Sequence, residues 1–204
     1  ANYAAPANNG PAREEHLQKF QADPDAYREE ARWSRAGVPL PRGEEPFFTV
    51  ESEERQRRLE TGFAIGDLLT INTSFSDLVT DQAANDAVAE FFRDKVRAKV
   101  SDSQTAEDLC AKDFPLFTKR LCLETNYFET FNLPHSKLVN LRRTPIKSIT
   151  ETGIDTTEES MEFDSIVFAT GFDAMTGAIV AVDIRGRDGI ELKDVWEDGP
   201  KTYL

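Results

Sequence analysis

The chain has 204 residues, enough for one large domain or two small ones. Hydrophobic residues make up 39% and charged residues 30%, a globular mixture, and no apolar run reaches the roughly 18 residues of a membrane-spanning helix. The formal net charge of −13 argues against nucleic acid or an anionic membrane as partner, because both are bound through clustered Lys and Arg.

The N-terminus, Ala1-Asn2-Tyr3-Ala4-Ala5-Pro6, has no basic patch ahead of an apolar stretch and does not read as a signal peptide. It also lacks an initiator Met. The first half then reads as a string of helices. Pro11 to Ala22 predicts a short one with Leu17 and Phe20 on one face. Asp23-Pro24 is a cap followed by proline at the first helical position, so a second helix is expected through Tyr27 and Ala31 towards Ser34. Gly37, Pro39 and Pro41 end it in a loop. Ser52 with Glu53 and Glu54 opens another helix, since carboxylates suit the positive N-terminal end. Thr80-Asp81 begins the clearest one. Ala84, Val88, Phe91, Phe92, Val96 and Val100 recur at spacings of three and four and predict a core-facing stripe.

After Phe114 the signals change to strand and turn. Lys137 to Leu141, Ile146 to Thr150 and Ile154 to Thr156 read as strands of a meander, punctuated by Pro145 and Gly153. Met161 to Ala169 ends in the unbroken apolar run Ile166-Val167-Phe168, as expected for a strand buried on both faces of a parallel sheet. Ile179 to Ile184 reads as another strand, Gly186 and Gly189 bracket a turn, and Leu192 to Trp196 as one helical turn. Tyr203-Leu204 stops without a cap, so both ends read as cuts. Cys110 and Cys122 have no metal-ligand spacing and read as two reduced thiols of a cytosolic protein. His16 and His135 are isolated and read as surface residues.

There is no G-x-G-x-x-G, Walker, H-E-x-x-H or G-x-S-x-G motif, and Gly186-Arg187-Asp188-Gly189 has the wrong spacing for a phosphate cradle. Two other stretches carry a resemblance. Lys112-Asp113-Phe114-Pro115-Leu116-Phe117-Thr118-Lys119-Arg120-Leu121-Cys122-Leu123-Glu124-Thr125-Asn126-Tyr127-Phe128 resembles the Lys-Arg segment of flavin-dependent Baeyer–Villiger monooxygenases of the cyclohexanone and phenylacetone type. Phe163-Asp164-Ser165-Ile166-Val167-Phe168-Ala169-Thr170-Gly171-Phe172-Asp173-Ala174-Met175-Thr176-Gly177 is similar to the same family's return linker into its FAD domain. Asp183-Ile184-Arg185-Gly186, the run Trp196 to Tyr203, and the helical stretch from Phe75 through Ala84-Asn85-Asp86 to Arg97 continue in the family's register. The chain departs from the pattern at Leu116-Phe117, where the family carries a small residue, and at Leu121, Glu124 and Phe128.

The resemblance implies an α/β fold, a fragment of a flavoprotein with two dinucleotide-binding domains (FAD and NADP) and a helical insertion. Residues 1–113 would be the helical subdomain inserted in the NADP-binding domain, 114–168 the remaining strands of that domain, and 169–204 the linker and return into the FAD-binding domain. The implied reaction inserts one oxygen of O2 beside a ketone carbonyl, with FAD and NADPH as cofactors, giving an ester or lactone. The Gly-rich cradles, the family fingerprint and part of the substrate pocket would lie in N- and C-terminal parts of a longer parent chain, so the fragment alone is expected to be inactive and prone to aggregate.

By themselves Lys119 and Arg120 read as a solvated surface pair. The resemblance reverses this, giving Arg120 the catalytic role of stabilising negative charge on oxygen and Lys119 the extra phosphate of NADP. A guanidinium suits the first task because it stays charged and presents a planar fork of donors, and a compact ammonium suffices for the second. If the pair is extended, its side chains face opposite sides. Ala169-Thr170-Gly171-Phe172 reads equally as a strand end with a glycine turn or as a hinge between domains that puts Thr170, Gly171 and Phe172 along the cofactors, with Gly171 allowing a positive φ or a close backbone approach and Asp173 steadying the linker. Two competing readings remain: another flavoprotein, such as an N-hydroxylating monooxygenase or a disulfide reductase, and a non-enzymatic acidic interaction module. The Lys-Arg segment and the absence of a redox cysteine pair disfavour the reductase.

Overall fold

A computed structural model describes residues 2–8, 10–11, 14–34, 37, 39, 43–66, 69–171, 173 and 176–202. The chain divides into two compact units, Ala1–Asn140 and Leu141–Leu204.

In the first unit, strand β1 (Ala4–Pro6) is followed by helices α1 (Glu14–Ala22) and α2 (Pro24–Trp33). Asp23 caps α2 by accepting from the Asp25 and Ala26 amides, and Pro24 occupies the first turn, where its missing N–H costs nothing. Phe20 and Tyr27 meet edge to face, but neither helix buries a residue. Helix α3 (Ser52–Ile65) closes on Gly66 in the left-handed conformation. Helix α4 (Gln82–Lys99) starts at Asp81, whose side chain accepts from the Ala84 amide at 2.8 Å. Every member of its expected stripe is buried, from Ala84 and Val88 through Phe91, Phe92 and Val96 to Val100. The stripe divides between two clusters. Ala84 to Phe92 pack with Tyr3, Leu59, Ile71, Leu78, Leu116 and Leu121. Val96 and Val100 pack with Phe128 and with Ala106 and Leu109 of helix α5 (Ser103–Leu109).

Strand β2 (Cys122–Glu124) returns beside β1 as a parallel pair, Ala4 opposite Cys122 and Pro6 opposite Glu124. Neither strand is legible by alternation, since each is only three residues long.

The second unit holds an antiparallel meander, β3 (Ile146–Ile149), β4 (Gly153–Thr156) and β5 (Ser160–Glu162), with a register shift between Ile146 and Ser148. Short helical turns follow, α6 (Gly177–Val180) and α7 (Leu192–Val195), the latter as expected.

Three expected strands are not found. The run Ile166-Val167-Phe168 is irregular, with Val167 85% and Phe168 68% exposed. A strand buried on both faces needs paired neighbours on either side, and the strand pairings among the described residues are β1 with β2, β3 with β4 and β4 with β5, besides one isolated bridge between Arg185 and Glu191. Lys137 to Leu141 is irregular for the same reason. In Ile179 to Ile184 the backbone satisfies itself locally instead: the Ile179 and Val180 amides donate to the Thr176 carbonyl at 3.0 and 2.9 Å, which makes a helical turn.

Candidate functional site

Two buried leucines frame the Lys119–Arg120 pair. Leu116 and Leu121 are sunk in the first unit's core, and the residues from Thr118 to Arg120 bulge outward between them. Phe117 takes φ +70°, an uncommon conformation for an aromatic residue, and the Thr118 hydroxyl donates to the Pro115 carbonyl at 2.7 Å to close the turn. On the far side the Asn2 amide donates to the Arg120 carbonyl at 3.0 Å and to the Cys122 sulfur at 3.1 Å, and the Cys122 amide donates to the Tyr3 carbonyl. The main chain of the pair is therefore tied at both ends to the β1–β2 edge and the core.

The side chains differ. The Lys119 ammonium stands 4.3 Å from the centre of the Phe114 ring. Phe114 in turn meets Tyr3 edge-on at 5.7 Å, and the Tyr3 hydroxyl receives a hydrogen bond from Arg93 at 3.0 Å. Burial pushes the Tyr3 hydroxyl above the ordinary phenol range, against the pull of Arg93. The Arg120 guanidinium has no hydrogen-bonding or ion-pair partner among the described residues. Most other described cations of the unit differ: Arg57, Arg93, Arg97, Lys95, Lys99 and Lys112 each hold a carboxylate within ion-pair distance, although Arg55 rests on Phe47 and Phe48 instead. In a chain of net charge −13, Lys119 and Arg120 are two adjacent exposed cations with no carboxylate of the described residues against them.

Behind the loop lies Asn85, to which the sequence alone assigns no role. It is a buried amide set in an apolar helix face, and that mismatch is the signal that marks it. Its three hydrogen bonds run to the main chain at Leu78 and Leu116.

The remaining expected site residues lie in the second unit. Thr170 and Gly171 are exposed and irregular. Gly171 has φ +84° with open space where a side chain would stand, so the positive φ, and not a close approach among described residues, is what favours glycine there. Asp173 lies against Gly177. Phe172 lies outside the described residues. Cys110 and Cys122 are free; burial raises the Cys110 thiol above its ordinary range, and Cys122 is exposed. No helix among the described residues is long and apolar enough to cross a membrane.

No family model matches the chain. A Baeyer–Villiger monooxygenase of Pseudooceanicola batsensis is 34% identical over 206 residues, covering 100% of this chain and 37% of the relative. The phenazine N-monooxygenase PhzNO1 of Lysobacter antibioticus is 35% identical over 207 residues, covering 100% of this chain and 38% of the relative. The backbone superimposes on the solved structure of OTEMO in complex with FAD and NADP with a TM-score of 0.87 at 34% identity, over 99% of this chain and 37% of that one. The chain thus spans less than two fifths of the length of the curated relatives it matches.

Proposed function

The chain belongs to the flavin-dependent Baeyer–Villiger monooxygenase family, and on that premise we propose that it is the Lys-Arg-bearing part of a longer NADPH- and FAD-dependent monooxygenase. The proposed overall reaction takes a ketone, O2, NADPH and a proton to an ester or lactone, water and NADP+. FAD, when bound, supplies the reaction of O2 with the electrons delivered by NADPH. The observation that carries the reading is the unpaired Lys119–Arg120 pair, exposed in an acidic chain whose neighbouring cations are neutralised.

Each residue fits its task. Lys119 presents a compact ammonium to the extra phosphate of NADPH, steadied against the Phe114 ring. Arg120 keeps its fork of donors free for the negative charge that gathers on oxygen as the new C–O bond forms. A fixed cation there costs no reorganisation at the moment of reaction. A guanidinium supplies hydrogen-bond donors and a fixed positive charge, so it stabilises negative charge on oxygen through its fork of N–H groups. The pair accounts for one phosphate and one oxyanion only. With no G-x-G-x-x-G in the sequence, the pyrophosphates of both cofactors would be held by other parts of the longer protein. Thr170, Gly171 and Phe172 would run along the cofactors in the linker 169–204, following a helical insertion in 1–113 and NADP-domain strands in 114–168. Two free thiols accord with a cytosolic location.

The test is the absorbance spectrum of the full-length protein with NADPH and air, then a ketone panel. A flavin spectrum that bleaches with NADPH and recovers in air, with ester formed, supports the reading. Arg120→Ala should lower kcat for ester formation by about 10²–10³-fold. A colourless protein that takes up no FAD defeats the proposal. The match to a phenazine N-monooxygenase favours N-oxygenation as the second reading; N-oxide from an aromatic N-heterocycle, with no ester from any ketone, would decide for it.

A further inference from the structure

Asn85 is 5% exposed, on the first buried turn of α4. Its Nδ2 donates to the Leu78 carbonyl at 2.8 Å and to the Leu116 carbonyl at 3.0 Å, and its Oδ1 accepts from the Leu116 amide at 2.9 Å. One amide thus grips both the N–H and the C=O of Leu116, as a neighbouring strand would. Only one orientation of the carboxamide serves two carbonyls and one N–H. A buried amide is stabilising only when its bonds are made, and an apolar residue would fill the same helix face without that demand. All three bonds run to main chain, and two of the three run to the start of the loop.

Other restraints act on the residues around Leu116: the Tyr3 hydroxyl donates to the Phe114 carbonyl at 3.4 Å and the Thr118 hydroxyl to the Pro115 carbonyl at 2.7 Å. Phe114 and Phe117 pack partly on the core, while Pro115 and Thr118 to Arg120 are exposed. The left-handed Phe117 follows directly on the gripped residue, and such a conformation persists only where its surroundings fix it. Lys119 and Arg120 come next, and Asn2 holds the Arg120 carbonyl from the other side.

We infer that Asn85 is a positioning residue for Lys119, its two-point hold on Leu116 setting where the Lys119 ammonium meets the extra phosphate of NADPH, while Asn2 holds the Arg120 main chain independently. This rests on the reading of Lys119 as the phosphate's partner.

The experiment compares kcat/KM for NADPH and NADH in the full-length, FAD-loaded protein. Asn85→Asp keeps the shape and the acceptor for the Leu116 amide but loses both donors and turns a carboxyl towards two carbonyls. The NADPH-to-NADH preference should fall about tenfold while kcat/KM for NADH stays within about twofold. The double variant Asn85→Asp/Lys119→Ala should show no lower preference than Lys119→Ala alone, because residues acting in one path are not additive. Should Asn85→Asp fail to fold, Asn85→Ser reads the same ratio. Equal losses with both cofactors, or an unchanged preference in a variant where Lys119→Ala abolishes it, would reduce Asn85 to a core residue and overturn the inference. If Lys119→Ala itself leaves the preference intact, the reading of Lys119 falls, and the inference falls with it.

Discussion

The Lys119 ammonium lies 4.3 Å from the centre of the Phe114 ring, five residues back along the same loop. The contact joins the exposed pair to the core, because Phe114 rests edge-on against Tyr3 at 5.7 Å and Tyr3 is buried under Phe92. A cation over a ring face gains about 0.5–1 kcal/mol at an exposed site.

That relationship predicts a graded defect. Phe114→Leu keeps the apolar packing and removes the ring's negative face, so the ammonium loses its seat without losing its charge. In the full-length protein KM for NADPH should rise about two- to fivefold, matching a loss of about 0.5–1 kcal/mol, with kcat nearly unchanged. KM for NADH should not move. A rise of the same size for both cofactors would mean that Phe114 supports the loop as a whole and not Lys119.

The elements that proved legible were those whose signal is local. The α4 stripe, the Asp81 and Asp23 caps and the β3–β4 hairpin depend on a few neighbouring residues, and all are found, whereas the meander's third strand is Ser160–Glu162 and not the expected Lys137 to Leu141. Ser103–Leu109 went unread although Asp102 caps it, because its apolar face, Ala106 and Leu109, is too short to show a period. Ile166-Val167-Phe168 failed for the opposite reason: its apolar character is real, but a strand is defined by partners, and none of the described residues pairs with it. At the site, the Lys-Arg pair was visible only by resemblance. Its lack of carboxylate partners is a property of three-dimensional arrangement, and so is the grip of Asn85 on Leu116, thirty-one positions away.

The α4–α5 junction predicts a pH dependence. Glu107 accepts from Arg97 at 2.6 Å and from Lys112 at 2.6 Å. These two cations, Arg97 foremost, hold its carboxyl at about 2, against an ordinary value of 4.5. A carboxylate with a lowered folded-state pKa stabilises the fold fully above its unfolded value, and that contribution is lost as pH falls through the folded one. Thermal unfolding of Glu107→Gln should therefore lie below wild type at pH 6 to 7, and the gap should close as pH falls from about 4.5 towards about 2. The Glu107 side chain is 38% exposed, so salt screens the pair, and about 1 M NaCl should narrow the gap at neutral pH. A gap that persisted unchanged at pH 2 would assign the loss to packing and not to charge.

Gly66 and Gly171 share a left-handed backbone, at φ +68° and +84°, but not a setting. A methyl group at Gly66 would run into the Pro6 carbonyl oxygen, where the end of α3 abuts β1, whereas at Gly171 it would meet open space. Left-handed strain alone costs about 1–2 kcal/mol for a non-glycine residue. Gly171→Ala should therefore lower stability by about that amount or less, and Gly66→Ala by more, since β1 must also shift away from α3. Denaturant midpoints with unchanged slopes measure both. The comparison also bears on the linker. If Gly171→Ala in the full-length protein costs far more in kcat/KM than its small loss of stability accounts for, something outside this chain approaches the backbone there, as a cofactor lying along Thr170 and Gly171 would. If activity falls only in step with the folded fraction, the positive φ alone explains the glycine, and the cofactor-binding reading of the linker is wrong.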